Sequence, residues 1–467
     1  MNNYKPVIGV LGLCLIISMP LQADGNEALY ELLNALHENG TIDEETYRAI
    51  RQVAERDERQ QNNQAREVTR AEVQKQVAEQ TRKAEQRASR DKQPTINTRG
   101  KFEVTSADED FSFRVGGRIQ ADAAIHDQDL ADHGNGSEIR RGRLFASGTL
   151  WRVWDYKFQY DFTGSASGGI ADAYLAYNAP AGVRVQGGHF KEPFSLQNMT
   201  SSKYINFIER GLPHLFVPGR NIGLEFSSGS DHWSAAAGVF GSGIDSPSGG
   251  DDEGMGVTGR ATYAPINDGD QVLHFGGALS YRDTGQAGTT RFSSRHESHI
   301  TDIRQVDTRN MGIDLQADDF YRYGLEAAWV HDRLTLQGEY MGVELNGNGA
   351  QPDAGFDGYY AEVLWFLTDD QRSYSGSGGA FKSVRPNSIV GKGGIGAWQV
   401  GARFSNVDLN DGAINGGEAD NMTLGLNWFP NANLRFSANY IRVLDTDGGP
   451  VAGDEPDIFT VRGQVEF

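Results

Sequence analysis

The sequence has almost no cysteine: the only one, Cys14, lies in an N-terminal segment that we expect to be removed. The mature chain can then form neither disulfides nor a thiolate metal site. Long apolar runs are also rare, since no stretch beyond that segment approaches the roughly 18 residues that a membrane-spanning helix requires. Hydrophobic residues make up only 38% of the chain, and the net charge is −20. These properties exclude a disulfide scaffold and a helical membrane protein.

The N-terminal segment has the layout of a secretory signal peptide. Lys5 precedes an apolar run over residues 7–19, and the tripeptide LQA at residues 21–23 ends on a small residue. The apolar run is too short to span a bilayer as a helix, but it has the length of a signal-peptide core. We expect cleavage after Ala23, so that residues 1–23 form the signal peptide.

Residues 24–94 follow a helical pattern. Leu29, Leu33 and Leu36 recur at the spacing that places them on one face of a helix. Residues 55–92 are rich in Gln, Glu, Arg and Lys, with charges of alternating sign and few apolar residues. This composition predicts either a solvated α-helical stalk in the periplasm or a coiled coil that joins three copies of the chain.

From residue 95 onward the apolar period changes to two, which is the period of a β-strand. One segment alternates aromatic and polar residues most plainly: Trp154, Tyr156, Phe158, Tyr160 and Phe162 against Asp155, Lys157, Gln159 and Asp161. The pattern recurs up to the C-terminal Phe467. Such strands cross a bilayer only in a closed barrel whose polar face meets water. Residues 95–467 are therefore predicted to form an all-β transmembrane barrel of about 16 antiparallel strands in the outer membrane.

The connections between these strands alternate in length. Short links such as 180–182 and 331–332 alternate with long ones such as 283–319, as periplasmic turns alternate with outer loops in such barrels. Connection 368–395 falls where a short turn is expected, yet it is long and rich in glycine. Two interpretations remain open: this segment folds back into the end of the barrel, or the strand count is wrong there.

A barrel of this size encloses an aqueous channel unless a segment fills it. Segment 191–219 follows the fifth strand and combines basic residues, hydroxyls and apolar anchors, so we expect it to fold inward as the third loop. Arg140, Arg141 and Arg143 lie within four residues, and the planar guanidinium suits oxyanions because it donates two parallel hydrogen bonds. Adjacent Arg140 and Arg141 both reach one face only if the strand bulges or the pair lies at a loop edge.

A wider arginine track is expected to comprise Arg114, Arg118, Arg143, Arg260 and Arg403. These cations would draw anions into the channel by focusing the field. Pairing with inward acids would instead create a transverse field without anion selectivity, and both interpretations remain open.

Several ordered blocks resemble the phosphate-selective porin O and P family. They are VGGRIQADAAI, SEIRRGRLFASGTLWRVWDYKFQYDF, GGHFKEPFSLQNMTSSKYINFIERGLP, FVPGRNIGLEF, GAWQVGARFSNVDL and TLGLNWFPNANLRFSANYIRV, and the resemblance covers residues 111–467. It implies a homotrimer of sixteen-stranded barrels, each with an inward third loop and a central anion site. The residues that match that site are Arg140, Arg141, Arg210, Ser201, Ser202, Lys203 and Asp172. Two positions depart from the family pattern, since Asn198 replaces a lysine and Arg143 replaces a tyrosine.

Other motifs give no sign of catalysis. The segment His296-Glu297-Ser298-His299 lacks the i, i+4 histidine spacing of zinc proteases, and no local motif marks a nucleophile. We therefore predict no enzyme activity, cofactor, metal or nucleic-acid partner. The expected partners are small anions, the lipid and lipopolysaccharide of the outer membrane, and further copies of the chain.

The predicted function is a passive channel for small anions such as phosphate or other oxyanions. A general diffusion porin without phosphate selectivity, and a structural barrel tethered by its periplasmic helix, are the alternatives.

Overall fold

The computed structural model describes residues 27–90, 93–98, 100–164, 169–244, 252–309, 311–349 and 351–467. The signal-peptide prediction for residues 1–23 lies outside these ranges. The chain divides into two compact units, Met1–Lys92 and Gln93–Phe467.

The first unit contains two helices, α1 (Glu27–Glu38) and α2 (Glu44–Arg90). Leu33 of α1 and Ala54 of α2 are buried where the helices pack, and Tyr47 Oη donates to Asn34 Oδ1 at 2.6 Å. Every described side chain of α2 from residue 56 to 83 is exposed, as its polar composition requires. Neither described helix is long and apolar enough to cross a membrane.

The second unit is a closed barrel of sixteen antiparallel strands among the described residues. In chain order they are β1 (Phe111–Asp127), β2 (Gly136–Leu150), β3 (Trp154–Asp161), β4 (Ile170–Asn178), β5 (Arg184–Lys191), β6 (Arg220–Gly229), β7 (Trp233–Phe240), β8 (Gly256–Asn267), β9 (Gln271–Asp283), β10 (Leu315–His331), β11 (Leu334–Gly347), β12 (Ala354–Phe366), β13 (Ala397–Asp411), β14 (Ile414–Asn431), β15 (Leu434–Asp447) and β16 (Asp457–Glu466). Short strands Thr95–Asn97 and Phe102–Thr105 form a hairpin that adds to the start of β1.

The barrel closes between its last and first strands. β16 pairs with β1 from Asp457 opposite Asp127 to Glu466 opposite Arg118. The closure extends to the C-terminal residue, because Phe467 exchanges two backbone hydrogen bonds with Gly117, at 3.0 and 3.1 Å. The predicted strand number and antiparallel closure are therefore confirmed.

Two loops enter the barrel from the end that carries the long connections. The third loop (192–219) carries the short helix α3 (Leu196–Met199), and the amides of Leu196 and Gln197 donate to the inward carboxylate of Glu339 at 2.9 and 2.8 Å. The fifth loop (284–314) includes the paired strands Ser293–Ser294 and Val306–Asp307, and its Glu297 accepts from Thr423 Oγ1 at 2.7 Å. The expected inward third loop is confirmed.

A third segment enters from the opposite end, which carries the short turns. This inserted turn (367–396) contains the paired strands Tyr374–Ser375 and Ala380–Phe381. It meets the third loop directly, since the amide of Phe381 donates to Thr200 Oγ1 at 3.3 Å and Arg372 donates to the carbonyl of Tyr204 at 3.0 Å. Connection 368–395 therefore folds back into the barrel, and the first of the two interpretations is correct.

The inserted segments fill one side of the lumen. A buried apolar cluster joins the inserted turn and third loop to β8, β9 and β10: Leu196, Ala264, Val272, Ala328, Val330, Tyr374 and Phe381. A second cluster joins the third and fifth loops to β10, β11 and β12 and includes Phe194, Leu212, Phe216, Phe292 and Phe320. The side formed by β1 to β6 retains an open cavity next to the third loop.

We expect Phe381→Ala to destabilise the barrel by about 3–5 kcal/mol, because a fully packed aromatic side chain is removed. The measurement is urea-induced unfolding of the protein in lipid vesicles. Val390→Ala in the same inserted turn is the control, since Val390 is 42% exposed and its loss should cost much less. Equal effects of the two substitutions would contradict the packing described for the inserted turn.

Candidate functional site

The open side of the lumen holds a cavity of about 770 Å³ between the β1–β6 wall and the third loop. Among the described residues that line it, nine are basic and two, Asp172 and Glu225, are acidic. The basic residues are Arg114, Arg118, Arg141, Arg143, Lys157, Lys191, Lys203, Arg210 and Arg220. This imbalance gives the cavity a positive potential that attracts anions.

Arg140 and Arg141 both reach the lumen because β2 bulges at this point. Gln120 on β1 pairs with Arg141, whereas the next residue, Ala121, pairs with Ile139, which leaves Arg140 as the extra residue. The two arginine side chains are only 11% and 6% exposed. The bulge that the adjacent pair requires is therefore present.

Glu209 of the third loop lies at the centre of an arginine cluster. Arg140 donates to its two carboxylate oxygens at 2.9 and 3.3 Å, and Arg462 on β16 donates to Oε1 at 2.9 Å. Arg141 Nη1 lies 3.5 Å from the same oxygen, and Arg462 also binds Asp122 at 2.6 and 2.7 Å. The carboxylate thus attaches the third loop to β2 and β16 and offsets part of their charge.

Arg210 follows Glu209 in sequence but makes different contacts. Its Nε donates to the carbonyl of Gln197 at 2.9 Å, and its Nη2 donates to the carbonyl of Thr200 at 3.2 Å. These bonds hold the third loop closed upon itself. The guanidinium therefore has a structural role as well as a place in the cavity wall.

The paired serines and the lysine that follows them lie on the same loop. Ser201 Oγ accepts from Arg118 Nη1 at 3.4 Å, and the carbonyl of Ser202 accepts from Gln120 Nε2 at 3.2 Å. Lys203 forms an ion pair with Glu466 on β16. All three residues line the cavity, so the structure brings the predicted Ser201, Ser202 and Lys203 to its wall.

Asp172 is paired on two sides. Lys157 Nζ lies 2.6 Å from Oδ2, and Arg220 Nε donates to Oδ1 at 3.0 Å. Asp161 forms an ion pair with Arg143 at 2.6 Å. These carboxylates hold the neighbouring cations in place along the β2–β6 wall.

The predicted arginine track is assembled only in part. Arg114, Arg118 and Arg143 line the cavity. Arg260 instead binds Glu326 at 2.5 Å, and the buried Arg403 pairs with Glu297 of the fifth loop. Both of these pairs lie on the filled side of the lumen, away from the cavity lining.

A second cavity of about 430 Å³ lies between the third and fifth loops. It shares Arg141, Arg210 and His214 with the first, so these three residues stand where the two cavities meet. Burial lowers the pKa of His214 well below its usual value, and the ring is therefore neutral. The fifth loop contributes Arg295 and Arg304 to this second cavity.

Sequence reasoning missed several residues of these cavities. Lys157 and Arg220 could have been found from strand periodicity, because each lies on the inward face of its strand. Glu209 and Arg462 gave no local signal, since their contact joins positions 253 residues apart. The arrangement can concentrate an anion and surround it with guanidinium, ammonium and hydroxyl donors.

Comparisons with known proteins agree with this architecture. The family model "Phosphate-selective porin O and P" matches residues 113–467. Porin O of Pseudomonas aeruginosa is 29% identical over 416 residues, which are 80% of this chain and 92% of that protein. An uncharacterized protein of Caulobacter vibrioides is 33% identical over 371 residues, or 76% of this chain and 72% of the relative.

A solved structure shares the fold at low sequence identity. The anion-selective porin from Comamonas acidovorans superposes with a TM-score of 0.51 at 15% identity, over 76% of this chain and all of that one. The family match covers most of the chain and coincides with the closed barrel. The chain therefore belongs to the phosphate-selective porin O and P family, and it is an outer-membrane channel protein rather than an enzyme.

Proposed function

We propose that the protein is a passive channel for small anions, with phosphate or a similar oxyanion as the favoured solute. The observation that carries the proposal is the lining of the first cavity, in which nine basic residues face two acidic ones among the described residues. The inserted turn and the two inward loops fill the opposite side of the lumen, so a solute has to pass along this basic wall.

The narrowest part of the path is proposed to lie at Arg141 and Arg210. Both residues line the first cavity and also the second, so they stand where the two cavities meet beside the third loop. Arg140 contributes less free charge, because its guanidinium is already bound to both oxygens of Glu209. An anion at this position would exchange part of its hydration shell for charge-assisted hydrogen bonds.

The density of donors favours an oxyanion over chloride. Arg118, Ser201 and Lys203 lie near one another at the third loop and can donate to different oxygens of one tetrahedral anion. Asn198 lacks the charge that the family pattern has at its position. The ammonium of Lys191 donates to the carbonyl of Asn198, so a cation still stands beside this part of the loop.

A homotrimer is the assembly that we propose. Five successive strands, β3 to β7, contain only eight to ten residues each. Tilted strands need about 9–11 residues to span a bilayer, so this low wall would be covered by neighbouring protein. The other strands would face outer-membrane lipid and lipopolysaccharide, and the helical unit would lie in the periplasm.

We expect Arg141→Gln to weaken phosphate block of the chloride current by about tenfold or more, because one charge-assisted donor is worth at least about 1.5 kcal/mol. The measurement is single-channel conductance in planar bilayers, in chloride with phosphate titrated in. Arg152→Gln is the control, since Arg152 lies in a turn with its side chain 60% exposed. Current without saturable phosphate block in the unmodified protein would instead identify a general diffusion porin.

Glu209→Gln should shift selectivity further toward anions, because it removes the carboxylate that three arginines share. The reversal potential across a potassium chloride gradient measures this change. Asp110→Asn, which removes an acid from a turn-end ion pair with Arg152, should leave the reversal potential unchanged. A shift toward cations in Glu209→Gln would show that loss of the loop attachment outweighs the gain in positive charge.

Deletion of residues 27–90 should leave conductance and phosphate block unchanged, because every residue of the proposed path lies in the second unit. The same bilayer recordings test this. If conductance is retained and cells that express the deletion lose envelope integrity, the helices have a separate tethering role. Loss of conductance in a correctly folded barrel would place the helices in the transport path.

A further inference from the structure

Three outer loops meet at a buried group of metal-ligating side chains that has no part in the anion path. His133 lies in the first loop (128–135), His296 in the fifth loop, and Asp454 in the eighth loop (448–456). Their side chains are between 0 and 1% exposed. The ligand atoms of all three lie within 4.8 Å of one another.

In this group His133 makes an ordinary hydrogen bond, whereas His296 makes none among the described residues. His133 Nε2 lies 2.6 Å from Asp454 Oδ2. His296 Nε2 lies 4.0 Å from the same oxygen, which is too far for a hydrogen bond. Neither ring nitrogen of His296 has a hydrogen-bond partner among the described residues, and a fully buried polar group without one is costly. A metal ion would satisfy it.

The carboxylate is already oriented for a ligand. The backbone amides of Leu130 and Ala131 donate to Asp454 Oδ1 at 2.8 and 2.9 Å, which fixes the side chain and leaves Oδ2 directed at the histidines. Such outer hydrogen bonds hold metal-binding carboxylates in position. Exposed Asp129 and Asp132 in the first loop add negative charge beside the group, which favours the approach of a cation.

We propose that His133, His296 and Asp454 form a site for one divalent transition-metal ion of the Zn²⁺ class. Two imidazoles and one carboxylate are a donor set that zinc accepts, with water in the fourth position. Tetrahedral bonds of about 2.0–2.1 Å place ligand atoms about 3.3 Å apart. The separations of 2.6 and 4.0 Å reach that value by side-chain shifts of under about 1 Å.

A third histidine lies beside this group of ligands. His126 stacks on His133 with ring centroids 5.5 Å apart, but it is not among the three ligands. The spacing of His296 and His299 could not indicate this site, because its three ligands come from three loops that are far apart in the sequence.

Zn²⁺ titration of the chelator-treated mature protein in detergent, followed by calorimetry, tests the proposal. We expect one site per chain, and at least about 100-fold weaker binding in Asp454→Asn and His296→Gln, since even outer-sphere changes cost 10–100-fold. Asn at position 454 can still accept from the two amides, so this variant keeps the loop contacts even if His296→Gln fails to fold. His331→Gln, at the last residue of β10 and at the other end of the barrel, is the control.

Two further readouts separate this site from surface binding. Co²⁺ should give the strong visible absorption of a tetrahedral site, and Zn²⁺ should displace it. Free Zn²⁺ at about 100 times its Kd should slow tryptic cleavage of the fifth loop by up to about 100-fold in the unmodified protein but not in Asp454→Asn. Absence of binding in the unmodified protein, or unchanged binding in both ligand variants, would overturn the proposal.

Discussion

Closure of the sheet between β16 and β1 is the constraint on which the rest of the structure depends. In lipid, every backbone amide and carbonyl has to find a partner within the protein, and only a sheet without edges provides this for strands. The backbone hydrogen bonds between Phe467 and Gly117 complete the ring. Once the ring is closed, alternation along each strand assigns one face to lipid and the other to an interior that has to contain polar groups.

The polar and charged groups of the barrel interior are stabilised differently on its filled side and on its open side. On the filled side, the buried Arg260 and Arg403 are each paired with an acid, Glu326 and Glu297 respectively. In such pairs neither charge is left uncompensated, which would be costly in a low dielectric. On the open side, the cavity leaves room for water, so basic residues can outnumber acidic ones without the cost of burying an unpaired charge. The selectivity that we propose therefore follows from where the lumen is filled as much as from which residues face it.

Much of this fold could be predicted from the sequence because strand periodicity is a local property. The alternation of aromatic and polar residues from Trp154 to Phe162 was sufficient to identify a membrane strand. The adjacent pair Arg140-Arg141 was sufficient to predict either a bulge or a loop edge, and the structure has the bulge. Neither the position of the inserted turn nor the separation of Arg403 from the cavity could be predicted, because both depend on which inserted segment packs against which wall.

In the candidate site, too, residues with a local sequence signal could be predicted, and residues that depend on distant contacts could not. The block from Ser201 to Lys203 was predicted from the family resemblance, which a run of consecutive residues makes easy to recognise. Glu209 was missed because its role comes from Arg462, a partner on the last strand. Contacts between residues so distant in sequence leave no periodic signal in a single chain, and only the closed barrel brings them together.

The inserted turn also has a consequence for the order of assembly. It enters from the end opposite to the third loop, yet the two meet through residues 181 positions apart, Phe381 and Thr200. Contacts of such long range form late, because the chain between them has first to be ordered. The inserted turn therefore contacts the third loop only after β12 and β13, the strands that flank the turn, have joined the sheet.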